Sequence, residues 1–294
     1  MYKILVLGGR GMLGHMVAHV LSKQEKLVVK STSSHKNSNY ICFNIEKGIE
    51  SLKRILEKDG WFDYIINCTG LLIRNINVND PNSIFRAVQI NSLFPHELAK
   101  LTKDMGLRVI HISTDAVFEK DAGICFEDSS ISGEGEVYGV TKLLGEVISS
   151  NFLNLRCSII GPSPFLHTGL LNWFLSTENG ASVNGYTNQM WNGVTTLQYA
   201  KLCENLIINN CFKMVRKESS THHFCPNNSI TKYELLKLFK NYFRTDIDVK
   251  KSLCKDYSVK RTLGTKYSSI KKIFNYNDTI QNAIEELAIE MSTH

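Results

Sequence analysis

The 294-residue sequence predicts an α/β fold, a doubly wound parallel sheet carrying a smaller mixed lobe toward its C-terminal end. Three observations predict it. Short continuous apolar runs alternate with helix-like stretches through residue 160. The first run, YKILVL, leads straight into the glycine turn GGRGMLG at 8–14. After Gly161 the alternation loosens. Continuous apolar runs mark strands buried on both faces, and strand–helix alternation stacks them into a parallel sheet with helices on both sides.

The elements follow in order. KILVLG is the first strand. Residues 11–22 read as a helix with Met12, Met16, Val20 and Leu21 on one side. LVVKS and YICFN are strands, 48–58 has helical spacing, and FDYIINCTG is a strand. Residues 81–106 hold one or two helices, with Pro95 marking a break or a new first turn. LRVIHIST is a buried strand, 138–150 a helix and FLNLRCSIIG a strand. Beyond it, 168–177 looks helical and 180–193 is a polar, glycine-bearing loop. Residues 195–208 form an amphipathic helix opening on a threonine cap. HHFCP is a last strand, and 231–243 and 279–291 are helices.

Composition excludes several classes. Hydrophobic residues make up 43% and charged residues 21%, ordinary for a soluble globular chain. No apolar run reaches the ~18 residues that a membrane helix needs. The first residues pass from strand to glycine turn without a signal peptide's apolar stretch, so a cytoplasmic location is expected. The formal net charge of +6 is spread along the chain, densest in the lysines near the end, and reads as a solvated face rather than a nucleic-acid stripe. None of the eight cysteines forms a C-x-x-C pair. Several lie in apolar strands, where cysteine acts as a small core residue, and free thiols are expected.

Gly9, Gly11 and Gly14 fit G-x-G-x-x-G, and Gly8, Gly11 and Gly14 fit a second spacing. The turn follows a strand and opens a helix, the context a dinucleotide-binding, Rossmann-type turn requires. Missing side chains let the backbone approach a pyrophosphate, and the helix N-terminus offers amides and partial positive charge. No Asp or Glu occurs between Lys26 and Ile45 to bind a ribose 2′-hydroxyl. Lys30, Ser31, Ser33, His35 and Lys36 stand there instead, and Arg10 lies in the turn. A 2′-phosphate suits these residues, so NADPH is expected ahead of NADH.

YGVTK places Tyr138 and Lys142 one helical turn apart on a shared face. A nearby ammonium lowers a phenol's pKa and prepares it for proton exchange. The pair lies 24 residues beyond Thr114, at the end of HIST, where open α/β sheets place ligands.

The glycine turn with ISTDAVF, YGVTK and LRCSIIG resembles the extended short-chain dehydrogenase/reductases, and most closely the dTDP-4-dehydrorhamnose reductase-like nucleotide-sugar reductases. Nearly the whole chain is covered. The resemblance implies that Thr114 hydrogen-bonds the reacting carbonyl oxygen, that Tyr138 is the general acid, and that Lys142 holds the nicotinamide ribose and tunes the tyrosine. It places Gly8, Gly11, Met12 and Leu13 at the pyrophosphate, Arg10 at a 2′-phosphate beside Ser31, which the residue pattern already puts there, and Asn44 and Ile45 near adenine, although many relatives have Asp where Asn44 stands. Cys68, Thr69 and Gly70 fall beside the cofactor, and Asn91 in the core on its side. The implied division is a NADP-binding unit of residues 1–160 with about 194–226, and a substrate-binding lobe of about 161–193 with 227–294.

The implied reaction reduces a nucleotide-linked 4-keto-6-deoxy-hexose to its alcohol in surface-polysaccharide biosynthesis. Dehydratases of this kind read Thr-Asp-Glu where this chain reads Thr114-Asp115-Ala116, and alanine removes no proton. Epimerase-reductases pair a cysteine there with a distant histidine, and Ala116 leaves His167 without that partner. An epimerase or dehydratase and a non-catalytic NADP-binding regulatory subunit remain as alternatives; the intact Thr/Tyr/Lys set favours catalysis. For the substrate, Asn172 either meets the diphosphate or faces solvent. Trp173 reads as core packing, and Trp191, in a polar loop, as a stacking surface. His222 and His223 read as strand-face residues, and no metal site is expected. The nucleotide (UDP, dTDP or GDP) and the oligomeric state stay open; a homodimer through helices is one arrangement among such relatives.

Overall fold

The computed structural model describes residues 1–36, 39–131, 136–165, 167–276 and 278–293. The first half runs β1 (Tyr2–Leu7), α1 (Met12–Ser22), β2 (Leu27–Ser33), β3 (Ile41–Cys42), α2 (Ile49–Lys58), β4 (Tyr64–Asn67), α3 (Pro81–Ala87), α4 (Phe94–Asp104), β5 (Arg108–Thr114), β6 (Ile124–Cys125), α5 (Val137–Leu144), β7 (Phe152–Cys157) and β8 (Ile159–Ile160). The second half runs α6 (Leu170–Leu175), β9 (Ser182–Tyr186), β10 (Met190–Trp191), β11 (Val194–Thr195), α7 (Thr196–Ile208), α8 (Phe212–Glu218), β12 (Thr221–His223), β13 (Ile230–Thr231), α9 (Lys232–Tyr242), β14 (Asp248–Ser252), β15 (Thr262–Leu263), α10 (Ser269–Ile273) and α11 (Ile280–Ser292).

Seven strands form the main sheet in the order β12-β7-β5-β4-β1-β2-β3, with every pairing parallel. The expected doubly wound α/β architecture is present. From β1 the chain winds outward through β2 and β3, then returns to β4 on the other side. The crevice beyond the strand ends at that reversal is where such sheets bind ligands.

Strand alternation divides the core. Ile4 and Val6 point into a cluster with α1 and α7, while Leu5 and Leu7 point into another with Leu52, Leu56, Phe94 and Leu98 of α2 and α4. Both faces of β1 are buried, which is why its sequence is one apolar run. Helix α7 opens on a capping box in which Thr195 accepts the Gln198 N–H and Gln198 reaches back to the Thr195 N–H.

The structure corrects the expected end of one helix and one expected loop, and it bears out a new first turn at Pro95. The helix expected over 138–150 ends at Leu144. Gly145 packs so tightly on the next layer that a Cβ there would stand 1.9 Å from the Asn91 carbonyl oxygen, and Asn154 then takes both polar groups of Val147. Between α3 and α4, residues Val88–Leu93 are π-helical, and Pro95 sits in the first turn of α4. Residues 180–193 are no loop: β9 pairs in parallel with β14, 66 residues further on, a partner no local pattern reveals. Cys42 is exposed; no cysteine is in a disulfide, and Cys125, Cys157, Cys203 and Cys225 are buried. Among the described residues, no helix is long and apolar enough to cross a membrane.

Candidate active site

A crevice of about 520 Å³ lies beyond the C-terminal ends of β1, β4 and β5. Three strand ends build its sheet side: the glycine turn after β1, Cys68–Gly70 after β4, and Thr114 at the end of β5. The second half closes it with Ser158, Thr168, Gly169, Trp191, Lys232 and Arg261.

Thr114 caps a one-turn 3₁₀ helix at Asp115–Val117, its Oγ1 accepting the Ala116 N–H at 3.1 Å. The same hydroxyl donates to Asp115 Oδ1 at 3.3 Å, and it stands near enough to the Tyr138 phenol to pull its pKa down. Tyr138 stands in the first turn of α5, which lies directly against the 3₁₀ turn. Lys142, one turn along, is buried; its Nζ donates to the Ile112 carbonyl at 2.7 Å and lies 3.4 Å from His111 Nε2. Thr114, Tyr138 and Lys142 thus converge on one crevice.

Burial sets the charges here. It pushes the Tyr138 phenol up to about 12, against the pull of the nearby Thr114 hydroxyl, and Asp115 adds to the rise. Burial also pushes Lys142 down to about 8, partly offset by Glu146. The expected lowering of the phenol by the ammonium does not appear: desolvation raises the phenol, and the lysine is directed at a strand carbonyl. Arg261 adds positive charge, donating through Nε to Asp115 at 3.1 Å and through a terminal nitrogen to the Phe118 carbonyl at 2.6 Å. Lys232, at the start of α9, has its ammonium 5.6 Å from the Trp191 ring centre. Burial lowers its pKa, and Asp115 opposes that.

The glycine turn suits a dinucleotide. Gly8 has φ +81°, and a Cβ on Gly14 would stand 2.3 Å from the Gly8 carbonyl oxygen, so the turn folds onto the start of α1 only without side chains. No side chain caps α1 at Gly11, and its first turn holds no acidic residue, leaving the amide end of the helix for an anion. Gly11, Met12 and Leu13 line the crevice. A second hollow of about 730 Å³ adjoins the turn, lined by Gly9, His15, Lys23, Lys30, Ser31 and Tyr40 among others.

Of the residues expected at the site, the crevice gathers Gly11, Met12, Leu13, Cys68, Thr69, Gly70, Thr114, Tyr138, Lys142 and Trp191, and the hollow takes Lys30 and Ser31. The rest line neither. Gly8 shapes the turn from beneath. Arg10 lies over the Phe165 ring, 5.0 Å from its centre. Asn44 caps a short turn through the Glu46 N–H, and Ile45 packs against the core. Asn91 is buried, and its amide clasps both backbone groups of Leu71 at 2.8 and 3.0 Å, fixing the loop after β4. Asn172 is half-buried and does not line the crevice; it accepts the Ser163 N–H at 2.7 Å.

The two tryptophans differ from expectation in their exposure. Trp173 is 47% exposed, whereas Trp191 is buried in β10 and bonds Ser158 through Nε1 at 2.8 Å. Helix α6 presents residue 173 outward, while β10 folds 191 under the crevice. Lys30, expected for a 2′-phosphate, meets Asp59 at 3.2 Å, an acid supplied from beyond α2. Ser33 is buried. His222 and His223 sit buried in β12 against the carbonyls of Val215 and Gly264. Among the described residues no cluster of metal-ligating side chains occurs. Sequence reading missed Lys232 and Arg261, which lie in a lysine-dense region that reads as solvated surface.

The RmlD substrate binding domain family matches residues 2–252. Over 195 residues the chain is 28% identical to a protein named probable low-salt glycan biosynthesis reductase from Haloferax volcanii, covering 63% of each chain. Over 145 residues it is 29% identical to a dTDP-4-dehydrorhamnose reductase of Mycolicibacterium smegmatis, covering 49% of this chain and 40% of that one. The matches therefore span less than two thirds of either relative. Among solved structures, a dTDP-4-dehydrorhamnose reductase from Clostridium acetobutylicum superposes with TM-score 0.75 at 17% identity, covering 99% of this chain and all of that one. One from Bacillus anthracis, in complex with NADP, has TM-score 0.75 at 15% identity, covering 99% of both. At these identities the structural likeness establishes the fold.

Proposed function

Because the chain belongs to the RmlD substrate binding domain family, we propose that it is an NADPH-dependent reductase of a nucleotide-linked 4-keto-6-deoxy-hexose. The observation that carries this reading is the convergence of Thr114, Tyr138 and Lys142 on one crevice at the end of β5, with Ala116 where an acid–base residue would stand.

Reduced nicotinamide, when bound, supplies the hydride. Gly11, Met12, Leu13, Cys68, Thr69 and Gly70 would hold the dinucleotide, with Ser31 and Arg10 toward its 2′-phosphate. Tyr138 keeps its proton through neutral pH, since burial raises its pKa. It gives that proton to the oxygen as the carbonyl becomes an alcohol, and the Thr114 hydroxyl donates to the same oxygen. Donors aimed at developing charge are worth about 3 kcal/mol each in catalysis. Lys232 and Arg261 hold the diphosphate, and Trp191 bounds the sugar. Residues 1–160 with 194–226 form the NADP unit in this reading, and 161–193 with 227–294 the substrate lobe.

The test mixes the protein and NADPH with UDP-, dTDP- and GDP-linked 4-keto-6-deoxy sugars and follows absorbance of the reduced nicotinamide. Consumption with one of them is expected; none with any of them overturns the reading.

We further propose a homodimer through the flank of α3, α4 and α5. Phe85, Leu93, Leu144 and Ile148 are 69%, 51%, 57% and 86% exposed there, and His96 joins the two sides by its bond to the Leu144 carbonyl.

A further inference from the structure

Beneath the crevice, a chain of buried polar groups runs from the loop after β4 to Lys142. The Thr69 N–H and hydroxyl both donate to Asn67 Oδ1, at 3.1 and 2.5 Å. A backbone N–H can only donate, so the Asn67 amide has one orientation, its oxygen toward Thr69 and its nitrogen toward His111. That nitrogen lies 3.0 Å from His111 Nδ1. Nδ1 must therefore accept, and the imidazole proton sits on Nε2. Nε2 in turn lies 3.4 Å from Lys142 Nζ, which also donates to the Ile112 carbonyl. Asn67, His111 and Lys142 are all buried.

We propose that Asn67 and His111 are positioning residues that lock one imidazole tautomer and thereby set the protonation of Lys142. With its proton on Nε2, His111 points an N–H dipole at the lysine nitrogen. An ammonium has no lone pair to receive it and is repelled. An amine receives the proton as a hydrogen bond while Nζ still donates to Ile112. The arrangement therefore favours the amine relative to an ordinary lysine, in the same direction as burial. It leaves Lys142 able to gain or release a proton near neutral pH beside the tyrosine that delivers one.

The other groups around the lysine do not reverse this. Cys68, after β4, and Cys157, at the end of β7, are buried thiols whose pKa burial raises, so they stay neutral. Glu146, beyond α5, favours the ammonium, but both its oxygens are taken by Arg156 at 2.7 Å, and Ser113 also donates to it. His96, on α4, like Lys142 disfavours a charged imidazole at His111, whose pKa burial already lowers well below the ordinary value.

The tautomer is a property of the folded protein alone; its use in turnover rests on the reductase reading. Nitrogen-15 NMR of the histidine-labelled protein reads it directly. His111 should show a protonated Nε2 and a bare Nδ1 from pH 6 to 9. Finding the proton on Nδ1 overturns the proposal without any variant. Asn67→Asp reverses the lock: a carboxylate accepts from Nδ1–H, and Nε2 becomes an acceptor for the ammonium. In labelled-lysine spectra the Lys142 midpoint should then rise by about one pH unit or more, and by less in Asn67→Leu, which only frees the tautomer. An unmoved midpoint in folded Asn67→Asp also overturns the proposal. No result requires a sugar substrate, so failure of the ketoreductase assay leaves these outcomes readable.

Discussion

A β-carbon on Gly139 would stand 2.0 Å from the carbonyl oxygen of Ala116. No real contact is that short, so the helix bearing Tyr138 reaches the end of β5 only because residue 139 lacks a side chain. The approach brings the phenol to the same crevice as the Thr114 hydroxyl. Gly139→Ala should push α5 away, lowering kcat by about 100-fold, since displacement of about 1 Å costs that much in a positioned reaction. Overpacking should also cost about 1–3 kcal/mol of stability. Steady-state kinetics and denaturant melts check the two effects; an alanine variant with normal turnover would contradict this account.

Lys142 carries a stability cost with a definite sign. Its folded pKa of about 8 lies below the ordinary 10.5, so the unfolded chain binds more protons between those values and stability rises with pH there. The contribution is present above about 10.5 and lost as pH falls through about 8. Compared with Lys142→Met, which cannot titrate, the wild type should gain about 3 kcal/mol between pH 7 and 10.5, at about 1.4 kcal/mol per pH unit. Paired urea titrations across that range test it; a constant difference would show that the lysine is not held as described.

Lys232 should matter for binding rather than for chemistry. Its ammonium lies near the Trp191 ring within the crevice, and under the proposed function it meets the substrate diphosphate. Lys232→Gln should raise KM for the nucleotide sugar by about tenfold, as expected for the loss of a charge-assisted hydrogen bond of about 1.5 kcal/mol, with kcat little changed. An equal fall in kcat and kcat/KM would instead place Lys232 at the reacting carbon.

The dimer proposal is open to direct measurement. Ile148 is 86% exposed beyond α5, so a charge there costs the monomer little. Light scattering should show a dimer for the wild type and a monomer for a double Leu144→Glu, Ile148→Glu variant. A wild-type monomer at micromolar concentration would remove the proposal.

The parallel strands and the glycine turn were legible in the sequence because their signals are local. A strand buried on both faces must be apolar throughout, as β1 is, and a helix start that lies against the preceding carbonyl must lack side chains, as Gly14 does. Spacing likewise placed Tyr138 and Lys142 on one helix face, and the end of the apolar run marked Thr114. Only tertiary structure decided which distant groups meet. It buried Trp191 and exposed Trp173, paired β9 with β14, and brought Asp59 to Lys30 and Arg261 to Asp115. It also decided the protonation of the site, where desolvation raised the phenol despite a lysine one turn away. Burial and electrostatic pairing depend on everything packed around a group, and spacing along the chain carries little of that.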